Sequence, residues 1–190
     1  MMHRVVITGC SGGGKSTLVG ELRQRGFATV GEPGRRVIAS ERASGGDGFP
    51  WENEARFSDL AFWMAVADHA GADGALTFFD RSALDQAAWY ARTGSAPPGE
   101  VPVYDRDIFL VPPWREIFEN DADRRHGFDD AVAEYSDLAA RLPGWGYKTH
   151  IVARTTVAER ADRVLEVVAK GAPCLSWSTH GSGSVRLPSP

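Results

Sequence analysis

"GCSGGGKSTL", residues 9–18, follows the apolar run Val5-Val6-Ile7 and leads into a helical pattern. Gly9 to Ser16 satisfies G-x-x-x-x-G-K-[ST] at every fixed position, with the strand before and the helix after that this spacing requires. Gly9, Gly12, Gly13 and Gly14 permit positive φ, so successive backbone N–H groups can turn inward onto an anion. The following helix adds the positive end of its dipole. In such a cradle Lys15 bridges the β- and γ-phosphates. Ser16 offers its hydroxyl to Mg²⁺, Thr17 lies by the α-phosphate, and Ser11 belongs to the same loop. ATP is expected rather than GTP, because no Asn-Lys-x-Asp box for guanine occurs.

Outward from the loop, strands and helices alternate. Strands are predicted at 4–8, 27–30, 75–79, 108–111 and 147–152, and helices at 15–25, 54–69, 83–92, 128–142 and 157–169. Gly26 reads as a helix stop, and Thr156-x-x-Glu159 as a capping box. The pattern predicts an α/β, three-layer P-loop NTPase fold with a five-stranded parallel sheet and helices on both faces. Residues 1–169 form one domain. Residues 170–190, rich in Ser, Gly and Pro, carry no period and are expected to be a poorly ordered tail. The glycine-rich "ERASGGDGFPW" from Glu41 and the proline-rich "TGSAPPGEVPV" from Thr93 read as loops, the first of them mobile.

The 190 residues are 43% hydrophobic and 24% charged, an ordinary soluble balance, and the net charge of -4 argues against a nucleic-acid partner. Two cysteines, Cys10 and Cys174, make no disulfide framework, which suits a reducing, cytoplasmic setting. "MMHRVVITG" reads as a strand rather than a signal peptide, and no apolar run is long enough to span a membrane. A homo-oligomer stays open. The five histidines show no metal-ligand spacing.

In an open parallel sheet, ligands bind at the carboxyl ends of the strands. After the third strand, Asp80 sits where a carboxylate can hold Mg²⁺, with Arg81 and Ser82 beside it; an N-cap is the plainer role for this aspartate. After the second, "GEPGRR" presents Glu32 as a base for an acceptor hydroxyl, and Arg35 and Arg36 as acceptor-binding cations, in what otherwise reads as a solvated turn. After the fourth, "PPWREIFENDADRRHGF" reads as a charged helix acting as a lid, with Arg124 and Arg125 closing over the γ-phosphate. After the fifth, Arg154 lies near the nucleotide base. Trp51, beside the glycine-rich loop, could stack on a planar acceptor; the other aromatics of that region are core candidates.

The pieces "ITGCSGGGKSTL", "EPGRRVI", "FFDRS", "FLVPPWREIFENDADRR" and "VAERADRVL" resemble, in order and over residues 4 to about 168, the small AAA-domain P-loop ATP-binding proteins. These are similar to the ribosylnicotinamide kinase domain of the NAD-biosynthesis regulator. Glu32-Pro33 with Asp80-Arg81-Ser82 also resembles nucleoside kinases, where a glutamate at the second strand end is the base. No arginine finger or helical lid domain of the ring-forming ATPases is present, so the resemblance implies a nucleoside-kinase-like fold rather than a motor. Residues 100–107 are short and proline-interrupted where relatives carry a helix, which implies a different acceptor pocket. Two functions remain: transfer of the γ-phosphate of Mg-ATP to a small hydroxyl acceptor such as a nucleoside or nicotinamide riboside, or a nucleotide-dependent switch or ATPase module read by a protein partner.

Overall fold

The protein, seen in a computed structural model, is described for residues 2–119 and 127–171. Its strands are β1 (His3–Gly9), β2 (Ala28–Val30), β3 (Leu76–Asp80), β4 (Asp107–Val111) and β5 (Lys148–Ile151). They form one parallel sheet in the order β2-β3-β1-β4-β5. The helices are α1 (Lys15–Gln24), α2 (Pro33–Ser44), α3 (Glu54–Gly71), α4 (Ala83–Thr93), α5 (Phe128–Gly144) and α6 (Val157–Gly171).

The alternation along the central strands builds two cores. Val5, Ile7, Phe78, Phe109 and Val111 face α1 and α6, where Leu18, Leu22, Val164 and Val168 complete the layer. Val6, Phe79, Ile108 and Leu110 face the other way, onto Phe62 of α3, Leu84 of α4 and Leu138 of α5. Each such side chain, fully buried, stabilises by about 1.5–3 kcal/mol. β1 lies between β3 and β4, with Ile7 opposite both Asp80 and Phe109, and Gly9 opposite Val111. The register therefore brings the phosphate loop, Asp80 and the segment after β4 to one edge of the sheet.

The helix ends follow local chemistry. Ser82 caps α4 through a capping box with Asp85, whose carboxylate accepts from Ser82 N at 2.8 Å. Thr156 and Glu159 form the expected box at the start of α6, with Glu159 N donating to Thr156 Oγ1 at 3.3 Å. Gly26, at φ 91°, ends α1 as expected.

Three expectations change. The "GEPGRR" turn is the start of a helix: Pro33 occupies its first turn, and α2 runs through Glu41 to Ser44. The glycine-rich loop after it is tied down. Buried Glu41 accepts from Gly48 N at 2.8 Å and from Arg56 Nε at 3.3 Å, and the Gly46 and Gly48 backbones close around its carboxylate. Past β4 there is a single 3-10 turn, Arg115–Ile117, in place of the start of a charged helix. Its Arg115 lies 4.3 Å over the Phe128 ring at the start of α5. α6 runs to Gly171, and the rest of the expected tail, residues 172–190, lies outside the described residues.

Candidate active site

Two adjoining cavities open at the carboxyl edge of the sheet. The larger, about 620 Å³, runs along the phosphate loop from Ser11, Gly12 and Gly14 through Lys15, Ser16 and Thr17 to Arg160. The smaller, about 130 Å³, is bounded by Pro33, Ile38, Pro50, Phe57, Gln86 and Glu134. Ser11, Glu32 and Arg35 line both.

In the loop, Gly9 (φ 114°) packs against β4, where a Cβ would lie 2.4 Å from Val111 O; only glycine lets the strand turn here. α1 begins after Gly14 without a side-chain cap, which leaves its first N–H groups facing the cleft. Buried Lys15 donates to Gly9 O at 3.2 Å and Cys10 O at 2.8 Å. Burial, helped by the nearby Arg81 cation, pulls its pKa below the ordinary lysine value.

Asp80, buried at the end of β3, accepts from Ser16 Oγ at 2.6 Å through Oδ2, while its buried Oδ1 has no hydrogen-bond partner. Burial pushes its pKa up, despite the counteracting charge of Lys15. The capping role belongs to Ser82, which leaves this carboxylate for the cleft. A hydroxyl and an orphaned carboxylate oxygen at the mouth of a phosphate cradle are a donor set that fits Mg²⁺, an ion that is held by few protein oxygens and otherwise by water and phosphate. Among the described residues there is no cluster of three or more His, Cys, Asp or Glu able to hold a metal by itself.

Arg81 occupies a left-handed backbone conformation, φ 64°, unusual for a residue other than glycine. Its N–H extends the sheet to Ile7 O at 2.9 Å, and its largely buried guanidinium reaches three carboxylates. Nη1 meets Glu134 at 2.7 Å and Asp85 at 3.0 Å, Nη2 meets Glu134 at 3.2 Å, and Nε lies 3.4 Å from Glu32. Burial alone would lower the Arg81 pKa; Glu134, Asp85 and Glu32 outweigh it and hold the group firmly charged. Glu32, at the N-cap of α2, makes no capping bond with its side chain and faces Arg35 Nε at 3.5 Å as well.

Several expected residues lie elsewhere. Arg36 pairs with Asp68 of α3 and lines neither cavity, because consecutive helical residues point about 100° apart and Arg35 takes the cleft side. Trp51 stacks on Phe49 at 5.3 Å and lines neither cavity; Pro50 and Phe57 form that wall. Arg154 is exposed before α6 and lines neither cavity. Arg124 and Arg125 lie outside the described residues. Conversely, Glu134, Gln86 and Arg160 line the cavities unforeseen. Ser82-x-x-Asp85 carries the local spacing of a capping box, the signal that places the cap on Ser82 rather than on Asp80. Arg160, four and eight residues before the buried Val164 and Val168, stands out as a cation on an apolar stripe. Nothing local marks Glu134 or Gln86.

The fold is shared with proteins of low sequence identity. Deoxyadenosine kinase from M. mycoides with bound dATP superposes with a TM-score of 0.63 at 10% identity, over 87% of this chain and 98% of that one. NadR protein in complex with NR gives 0.65 at 16% identity, over 96% of this chain but 54% of that one, so this chain spans about half of NadR. Shikimate kinase from Acinetobacter baumannii in complex with shikimate gives 0.53 at 12% identity, over 90% of this chain and 94% of that one. No curated protein matches the chain by sequence. Among the described residues no helix is long and apolar enough to cross a membrane. The family profile described as "AAA domain" matches residues 4–160, and the chain belongs to that AAA-domain family, on a P-loop kinase fold.

Proposed function

We propose that the protein is a phosphotransferase that moves the γ-phosphate of ATP to a hydroxyl of a small neutral or cationic acceptor, of the nucleoside or nicotinamide riboside class. One observation carries this reading: Glu32 stands on the wall between the phosphate-loop cleft and the smaller pocket, so a hydroxyl held in that pocket meets a carboxylate where the phosphate chain ends.

The triphosphate lies along Gly12–Thr17, its oxygens on the backbone N–H groups, with Lys15 exchanging its bonds to Gly9 O and Cys10 O for the β- and γ-phosphates. Ser16 and Asp80 would hold Mg²⁺, which when bound neutralises phosphate charge. Glu32 takes the acceptor's hydroxyl proton as the oxygen forms its bond to the γ-phosphorus. The bond from that phosphorus to the β-bridging oxygen breaks, and ADP carries away the electron pair. Arg81 spends its strongest bonds on Glu134 and Asp85, so Glu32 keeps lone pairs for the acceptor.

The charge around the pocket selects the acceptor. Arg81 and Arg35 are both met by carboxylates, and Glu32, Asp85 and Glu134 together outnumber them. Such a pocket repels a phosphate or carboxylate on the acceptor. Gln86, which lines the pocket, supplies a donor and an acceptor for a planar polar group, between the apolar walls of Ile38 and Phe57.

A panel tests this: nucleosides and ribosides against nucleoside monophosphates and carboxylated polyols, with Mg-ATP, following ADP and the phosphorylated product by mass spectrometry. Product from one or more uncharged or cationic ribosides, and none from monophosphates, is expected. ADP release that ignores every acceptor would replace the transferase with a nucleotide-binding module.

A further inference from the structure

Arg160 is 4% exposed, in the first turn of α6. Its Nη2 donates to Gly13 O at 3.1 Å, and its Nη1 lies where a Cβ on Gly14 would come within 2.8 Å. The Trp114 ring is 5.8 Å from Cζ. No carboxylate among the described residues pairs with it, its Nε has no hydrogen-bond partner, and burial alone pulls its pKa down. A buried cation without a counter-ion opposes folding, so a positive role has to explain its place.

That role lies in the peptide it holds. In a phosphate cradle the N–H groups point in and the carbonyls point out. Gly13 and Gly14 flank one such peptide, and Gly14 sits at φ 82°. A glycine accepts either sign of φ at little cost, so this peptide can flip, turning the Gly14 N–H out and the Gly13 oxygen into the cradle. There the carbonyl would repel phosphate. The Arg160 guanidinium packs close against Gly14 and, by donating to the Gly13 oxygen, opposes that flip.

We propose that Arg160, at the rim of the phosphate-loop cavity, is a positioning residue that latches the Gly13–Gly14 peptide in its anion-binding orientation. This rests on the reading of the loop as a nucleotide site. The latch serves the phosphates and ignores the base, so it predicts equal losses for ATP and for inorganic tripolyphosphate.

Calorimetric titration of wild type, Arg160→Met and Arg160→Lys with ATP and with tripolyphosphate tests it. Both variants are expected to lose at least about tenfold in affinity, by the same factor for the two ligands, since a latched loop presents a hydrogen-bond donor that an unlatched one does not. Lysine keeps the charge without the flat fork and falls short of wild type. The unliganded Arg160→Met protein is expected to melt no lower than wild type, because an uncompensated buried cation is gone. A loss confined to ATP would make Arg160 a base contact, full recovery in Arg160→Lys would leave only its charge, and a lowered melting temperature would make it a fold residue; each overturns the latch. Wild type that binds neither ligand would overturn the nucleotide site itself, and the latch with it.

Discussion

The two halves of the cleft are built differently. The phosphate half comes mainly from one contiguous stretch, Gly9–Thr17, whose backbone would do the binding in the proposed reading, with Ile117 and Arg160 at its rim. The smaller pocket, the proposed acceptor half, is assembled from β2's end, α2, the Glu41-anchored loop, α3, β3's end, α4 and α5, and its chemistry is a set of paired side-chain charges in which carboxylates outnumber arginines. A backbone cradle suits a ligand part common to many proteins. A pocket from dispersed elements can change its acceptor by single substitutions without touching the phosphates.

The comparison breaks most readily on the phosphate side. Lys15→Ala is expected to lower kcat/KM by about 10²–10³ or more, as removal of a transition-state cation does, with ADP release as the assay. Asp80→Asn is expected to remove the Mg²⁺ dependence of nucleotide binding and most turnover. Its stability runs the other way. The Asp80 carboxyl titrates above its ordinary 3.8 because it is buried, so its stabilising contribution is present below that value and lost as pH rises through the raised one. Unliganded Asp80→Asn should therefore melt at or above wild type at neutral pH, with the gap closing as pH falls toward 3.8 in a thermal-melt series.

On the acceptor side effects are smaller and selective. Glu134→Gln weakens the fork on Arg81 and turns that cation toward Glu32 and the acceptor. The acceptor's KM is expected to rise about tenfold, the worth of a charge-assisted hydrogen bond, with ATP affinity unchanged in titration. The smallest effect lies outside both halves. Thr156→Ala loses the α6 cap, costs about 1 kcal/mol, and leaves turnover alone.

The same contrast explains what the sequence revealed. The sheet was legible because its strands are apolar runs with turn residues on either side, and the phosphate loop because its chemistry is local. α2 hid behind Pro33-Gly34, a pair that reads as a turn although proline also opens helices. The glycine-rich loop looked mobile because its anchor, Glu41, is indistinguishable in sequence from a surface glutamate. Arg36 and Arg35 are neighbours in the chain, and only the helix shows that one faces the cleft and the other Asp68. The Arg81–Glu134 pair spans 53 residues, and no local pattern encodes it.

The central claim is that Glu32, at the junction of the halves, serves the acceptor and not the nucleotide. Single-turnover transfer by Glu32→Gln, with ATP affinity measured on the same preparation, tests it most directly. Transfer slowed by about 10²–10⁴, the usual contribution of a positioned base, with ATP binding intact, is the predicted result. Transfer at the wild-type rate would contradict the account.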